Sequence, residues 1–185
     1  MKLNHFALWL SLLICSPILQ AQTRPSVPAD FTVGPMRQQQ LVGFNFLYVT
    51  RRATIRTIAE IAGTEVPKLF DAIKAANIQE RGPVIFIFHG MTGAPDQPFD
   101  VEMGMAVEEN VVPPDGYETV ELKPATCATV LYSGDMPNIG HAYEKVFPAM
   151  SAAGLTPSGE TREYYLYFED DKSPNNVVLV AIVSK

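Results

Sequence analysis

The sequence predicts an α+β fold: two copies of a β-α-β-β unit forming one antiparallel sheet, with helices on one face and a groove between the halves. Three observations predict it. The chain repeats itself at an offset of 77 residues. Each half runs through strand-period and helix-period segments in the same order. Pro- and Gly-rich joints separate those segments.

The repeat is carried by "KLFDAIKAANIQERGPVIFIFHG" (68–90) and "KVFPAMSAAGLTPSGETREYYLYFED" (145–170). Lys68 falls on Lys145, Phe70 on Phe147, Ala72 on Ala149, Ile78 on Leu155 and Gly82 on Gly159. The register continues to Val101 with Val178 and Met105 with Ile182. An ungapped match of this length is the mark of a duplicated supersecondary unit.

In chain order, residues 1–21 read as a signal peptide. Lys2 supplies the positive start, residues 6–14 the apolar run, and Leu19-Gln20-Ala21 a cleavage site before Gln22. This implies a periplasmic or secreted protein with no stable membrane insertion after cleavage. The Pro-rich stretch 22–36 reads as a flexible tether. The domain then covers 37–185, with repeat one at 37–111 and repeat two at 116–185. In the first repeat we expect a strand at 39–50, helical segments at 53–62 and 65–77 separated at Gly63 and Pro67, and strands at 84–89 and 100–107. In the second we expect one strand at 118–133 bent at Pro124, then a helix at 138–153. Asp135 is its candidate N-cap, Gly154 its stop, and Pro148 the site of a bend. Strands at 163–168 and 176–183 complete the unit.

The formal net charge is −6, and loss of the leader removes one Lys and no acid, giving −7. Nucleic-acid binding needs a basic footprint, so that class is excluded as an expected partner. The segment "TIAEIAGTEVPKLFDAIK" superficially resembles a helix-turn-helix, but it has a counterpart in the second half. Only Cys127 survives leader removal, too few for an intrachain disulfide, and its place in "TCATVLY" suits a buried thiol. With only His89 and His141 left, no metal site and no cofactor is expected. The acidic run 169–171 reads as a solvated turn.

The strand "REYYLYF" places Glu163, Tyr165 and Tyr167 on one side and Tyr164, Leu166 and Phe168 on the other. The repeat makes Phe86 the counterpart of Glu163, and Phe88 the counterpart of Tyr165. We expect Ile85, Ile87, Tyr164 and Leu166 to face the helices. Phe86, Phe88, Glu163 and Tyr165 then share the opposite face, as a pocket with aromatic walls and one acid. Tyr132 and Tyr48 are further candidates for its wall. Such a pocket suits a planar or cationic apolar small molecule. The alternative is that Glu163 is a solvated edge residue and Phe86 and Phe88 are plain core.

From about residue 36 onward the chain resembles the GyrI-like small-molecule-binding domain, which also forms the effector-binding half of some AraC-type and multidrug-responsive MerR-type regulators. The resemblance rests on "GYETVELKPATCATVLYSGDMPNIGHAYEKVFPAMSAAGL" (116–155), on "REYYLYF" and on "FDVEMGMAV" (99–107). It implies duplicated units with a ligand groove between them, and a pocket glutamate at Glu163 in Glu163-Tyr164-Tyr165. The chain departs from the family where Gly134-Asp135-Met136 stands in place of a Gly-Pro-Tyr turn, and where Ala149 or a neighbour replaces a Trp. The resemblance also implies an alternative, a hydrolase of strained electrophiles with Glu163 as base and Tyr165 or Tyr132 polarising the substrate. Haem binding through a His and a ligand-free interaction domain are two more alternatives.

Overall fold

The computed structural model describes residues 31–185; the expected signal peptide and residues 22–30 of the tether lie outside them. The strands are β1 (Phe31–Val33), β2 (Arg37–Leu41), β3 (Phe44–Ala53), β4 (Glu80–His89), β5 (Phe99–Val107), β6 (Glu118–Leu122), β7 (Ala125–Gly134), β8 (Pro157–Tyr167) and β9 (Val177–Ser184). The helices are α1 (Ile58–Ala75) and α2 (Gly140–Ala152), and a 3-10 turn at Met136–Asn138 precedes α2. All nine strands form one antiparallel sheet in the order β1-β7-β9-β8-β4-β5-β3-β6, with β2 also on β7. The α+β duplicated architecture stands. At the 77-residue offset, β4 lands on β8, β5 on β9, and α1 on the 3-10 turn plus α2. The helices end alike: Asn77 and Gly154 both take positive φ, and Ile78 and Leu155 bond back to Ile73 and Met150.

Several boundaries differ from expectation. Phe31–Val33, read as tether, is a strand on β7, because Phe31 and Val33 alternate apolar side chains onto the second core. Helix α1 is unbroken across Gly63 and Pro67. A proline costs one backbone bond and crowds one carbonyl, and the burial of Leu69 and Ile73 on the sheet outweighs that. Asp135 caps the 3-10 turn, not α2, and its carboxylate accepts from the Asn138 side chain at 2.7 Å. The expected bent strand at 118–133 is two strands, β6 at one end of the sheet order and β7 next to the other end.

That last correction explains the shape. β2 pairs with β7 and β3 with β6, and one register runs through both ladders, from Arg37 with Thr129 to Tyr48 with Glu118. Only the kinks Val42-Gly43 and Lys123-Pro124 interrupt it. The chain itself therefore joins the two ends of the sheet, which curls into a ring. One face becomes an interior filled by Phe46, Ile85, Ile87 and Cys127, each 0–1% exposed. The close crossing at the kink needs a glycine, since a Cβ on Gly43 would lie 2.5 Å from the Leu122 carbonyl oxygen.

Both helices cover the other face. α1 seals Leu47, Val101, Met103 and Met105, and α2 seals Val130, Tyr132, Val178 and Val180. Between the helices, strands β4 and β8 form a floor on which Phe86, Phe88 and Glu163 are each 4% exposed, and Phe86 and Phe88 also belong to the core under α1.

Gly43→Ala is expected to cost about 1–3 kcal/mol through overpacking. Gly63→Ala, with nothing within 4 Å of its new methyl, is expected to gain about 0.5–1 kcal/mol. Thermal unfolding of the two variants side by side checks both signs.

Candidate functional site

The run Val84–Phe88 is apolar on both alternating faces, so its pattern does not tell which face meets the helices. The structure reverses the expected orientation. Ile85, Ile87 and Tyr164 point into the ring with Phe46, while Phe86, Phe88, Glu163 and Tyr165 point toward the helices. They still share one face, at the floor of a groove of about 1650 Å³ between α1 and α2. Glu163 is 4% exposed, so it is not a solvated edge residue.

Glu163 is held by two phenols. Tyr143 donates to one carboxylate oxygen at 2.5 Å, and Tyr165 to the other at 2.7 Å. The Tyr165 ring also tilts against Phe86, with centroids 4.8 Å apart. No Lys, Arg or His stands among the described residues lining the groove, against six acids: Glu80, Glu144, Glu163, Glu169, Asp170 and Asp171. Burial pushes the Glu163 carboxyl above the usual carboxylate range, opposed by the hydrogen bonds from Tyr143 and Tyr165. Burial and the adjacent Glu163 push both phenols well above theirs.

Two candidates lie elsewhere. Tyr132 is fully buried under α2, and its hydroxyl donates to the Asp135 carbonyl at 2.5 Å. It acts as a post for the turn that starts α2, and burial raises its phenol to about 12. Tyr48 sits on the ring-side face, stacked on Phe46, with its hydroxyl on Glu118 at 3.3 Å. Alternation excludes it from the groove, because its neighbours Leu47 and Val49 are the residues that face α1. His89 bonds Glu102, and His141 stacks on Phe31; neither lines the groove.

Sequence reasoning missed Tyr143 and the acidic wall. Tyr143 lies at helical spacing from Gly140 and Phe147, all on the groove side of α2. That stripe was a usable signal. The loop after β8 is fixed: Glu169 accepts from Tyr167, Ser173 and Asn175, and the Asp171 carbonyl accepts the Met136 amide at 2.8 Å. A bulge at Leu166 turns the end of β8 so that Leu166, Tyr167 and Phe168 all edge the groove.

The geometry has a symmetry. Residues 77 apart are equivalent, and Phe86 and Glu163 are 77 apart and also direct cross-strand partners. The pseudo-twofold axis therefore passes between them. Phe70 and Phe147, another equivalent pair, stand half-exposed on opposite rims.

Comparison with known proteins gives the family. Residues 35–182 match the GyrI-like small molecule binding domain. The chain belongs to that family. No curated protein matches it. Among solved structures, the EcmrR C-terminal domain is 13% identical, with a TM-score of 0.67, over 81% of this chain and 96% of that one. In EcmrR bound to DNA the TM-score is 0.70 at 12% identity, over 84% of this chain and only 57% of the regulator. SAV2435 bound to tetraphenylphosphonium gives 0.57 at 12% identity, over 81% and 93%. A hydrolase encoded by lin2189 from Listeria innocua gives 0.60 at 11%, over 82% and 92%. At these identities the likeness is one of fold.

The stability of the GyrI-like chain is expected to depend on the charge of Glu163, because burial raises its carboxyl pKa. A carboxyl whose folded pKa is raised contributes most to stability when protonated, and that contribution is lost as pH rises through the folded pKa. Glu163→Gln is therefore expected to unfold at a higher temperature than the parent at pH 8. The gap is expected to close as pH falls below the ordinary glutamate pKa of about 4.3, toward about pH 3, where Glu163 is protonated in both the folded and unfolded chain. Calorimetry across that range checks it.

Proposed function

We propose that the protein captures an apolar organic cation in this groove, outside the cytoplasm. One observation carries the proposal: a buried carboxylate whose partners are two phenols, in a groove lined by acids and no basic side chain. Burying an unpaired charge is costly, and a cation entering the groove relieves that cost. The faces of Phe86, Phe88 and Tyr165 add cation–π attraction. That SAV2435, of the same fold, was solved with tetraphenylphosphonium supports a lipophilic cation. The leader-like residues 1–21 support the cellular location.

Tetraphenylphosphonium is the first probe. Calorimetric titration is expected to show saturable binding, weakened at least tenfold in Glu163→Gln, which is about 1.4 kcal/mol or more. Protons compete for the same carboxylate. Affinity is therefore expected to fall as pH drops through the elevated range of Glu163, and binding near that range is expected to release protons. A pH-independent affinity, or one unchanged in Glu163→Gln, rejects the reading.

The contact between a phenol and a carboxylate favours one further reading, hydrolysis of a strained electrophile. Glu163 would take a proton from water while Tyr143 or Tyr165 polarised the opening ring. Product formation from a cyclopropane electrophile, abolished in Glu163→Gln, distinguishes turnover from capture.

A further inference from the structure

The two limbs of the groove are related by the pseudo-twofold axis yet differ in chemistry. From Phe86 the first limb runs over Phe88, Phe99 and Met91, beneath Ile58 and Ala62 of α1. These six side chains are all apolar. In the second limb Phe168 stands for Met91, but four other equivalent positions hold polar groups where the first limb holds rings and small residues. Glu163 stands for Phe86, Tyr165 for Phe88, Glu169 for Thr92 and Asp170 for Gly93, and all eight line the groove. The acid on the axis takes both phenol bonds from the second half, Tyr143 and Tyr165. The total volume, about 1650 Å³, exceeds the roughly 300–1,000 Å³ typical of sites for compact drug-sized molecules.

We propose that the groove selects a cation bearing one long apolar arm: the charged head at Glu163, facing the acidic limb, and the arm laid along Ile58, Met91 and Ile55. This rests on the cation-capture reading and narrows it. Phe88 and Phe99 are only 3–4% exposed, so a compact, symmetric cation in the centre leaves Ile55, Ile58 and Met91 as the wet part of the first limb. An arm removes that apolar surface from water, and each methylene placed there adds a transfer contribution. In the second limb the same arm would desolvate the exposed carboxylates of Glu169 and Asp170 without bringing a charge to them, so the arm has one favourable direction.

The test is a series of alkyltrimethylammonium ions, from butyl to hexadecyl, titrated below their micellar concentrations. Affinity is expected to rise roughly threefold to fourfold per methylene until the limb is full, and then to level off. Ala62→Trp, which plugs the first limb, is expected to abolish the rise. Where that variant does not fold, Ala59→Trp on the exposed side of the same limb serves instead. Ile139→Trp, at the equivalent position of the second limb, is expected to keep the rise. A flat series that still depends on Glu163 overturns this inference and leaves cation capture standing. A rise abolished by Ile139→Trp and kept by Ala62→Trp reverses the direction of the arm and also overturns it. If neither the series nor tetraphenylphosphonium binds, cation capture fails as well.

Discussion

A single carboxylate, sunk to the middle of an apolar sheet with no cation beside it, organises the groove. An ion in that setting needs hydrogen bonds to each oxygen, and the fold supplies two phenols for the purpose. Much of the second half exists to hold them. Tyr165 is placed by the β8 ladder. Tyr143 is placed by α2, whose position is fixed by Ala142, Val146 and Met150 packed on β7 and β9, and by the Tyr132 hydroxyl at its leading turn. The groove can stay open because the ring interior and the two helix-sealed cores on either side carry the stability.

Much of the fold was legible in the residues. Element order followed from the alternation of periods, and the duplication from an ungapped offset. What stayed hidden depends on which surfaces meet. Val84–Phe88 is apolar on both faces, so burial on both sides erased the cue for orientation. Pro124 read as a bend, and pairing alone reveals that β6 and β7 lie toward opposite ends of the sheet order. Tyr48 and Tyr132 are aromatic residues in strands, like Tyr165; only the register separates a groove wall from a core post.

The site was legible in its floor and not in its walls. Glu163, Tyr165, Phe86 and Phe88 came from two strands that the repeat makes equivalent, so alternation puts all four on corresponding faces. Tyr143 comes from a helix and Asp171 from a loop, and both reach the groove through tertiary packing. The acidic run 169–171 resembled any solvated turn. It becomes a groove wall because the bulge at Leu166 and the Asn176 side chain, which bonds the backbone of Glu169 and Asp170, fix the loop's path.

The axis between Phe86 and Glu163 also bears on ancestry. If one β-α-β-β unit assembled as a homodimer, the residue at this place would lie against its own copy. A glutamate there would bring two carboxylates side by side on adjacent strands, an arrangement that repels. Gene fusion lifts that restriction, since two positions formerly encoded by one codon can then diverge. A lone central acid is thus a feature that a covalently joined pair can acquire and a self-associating single unit cannot.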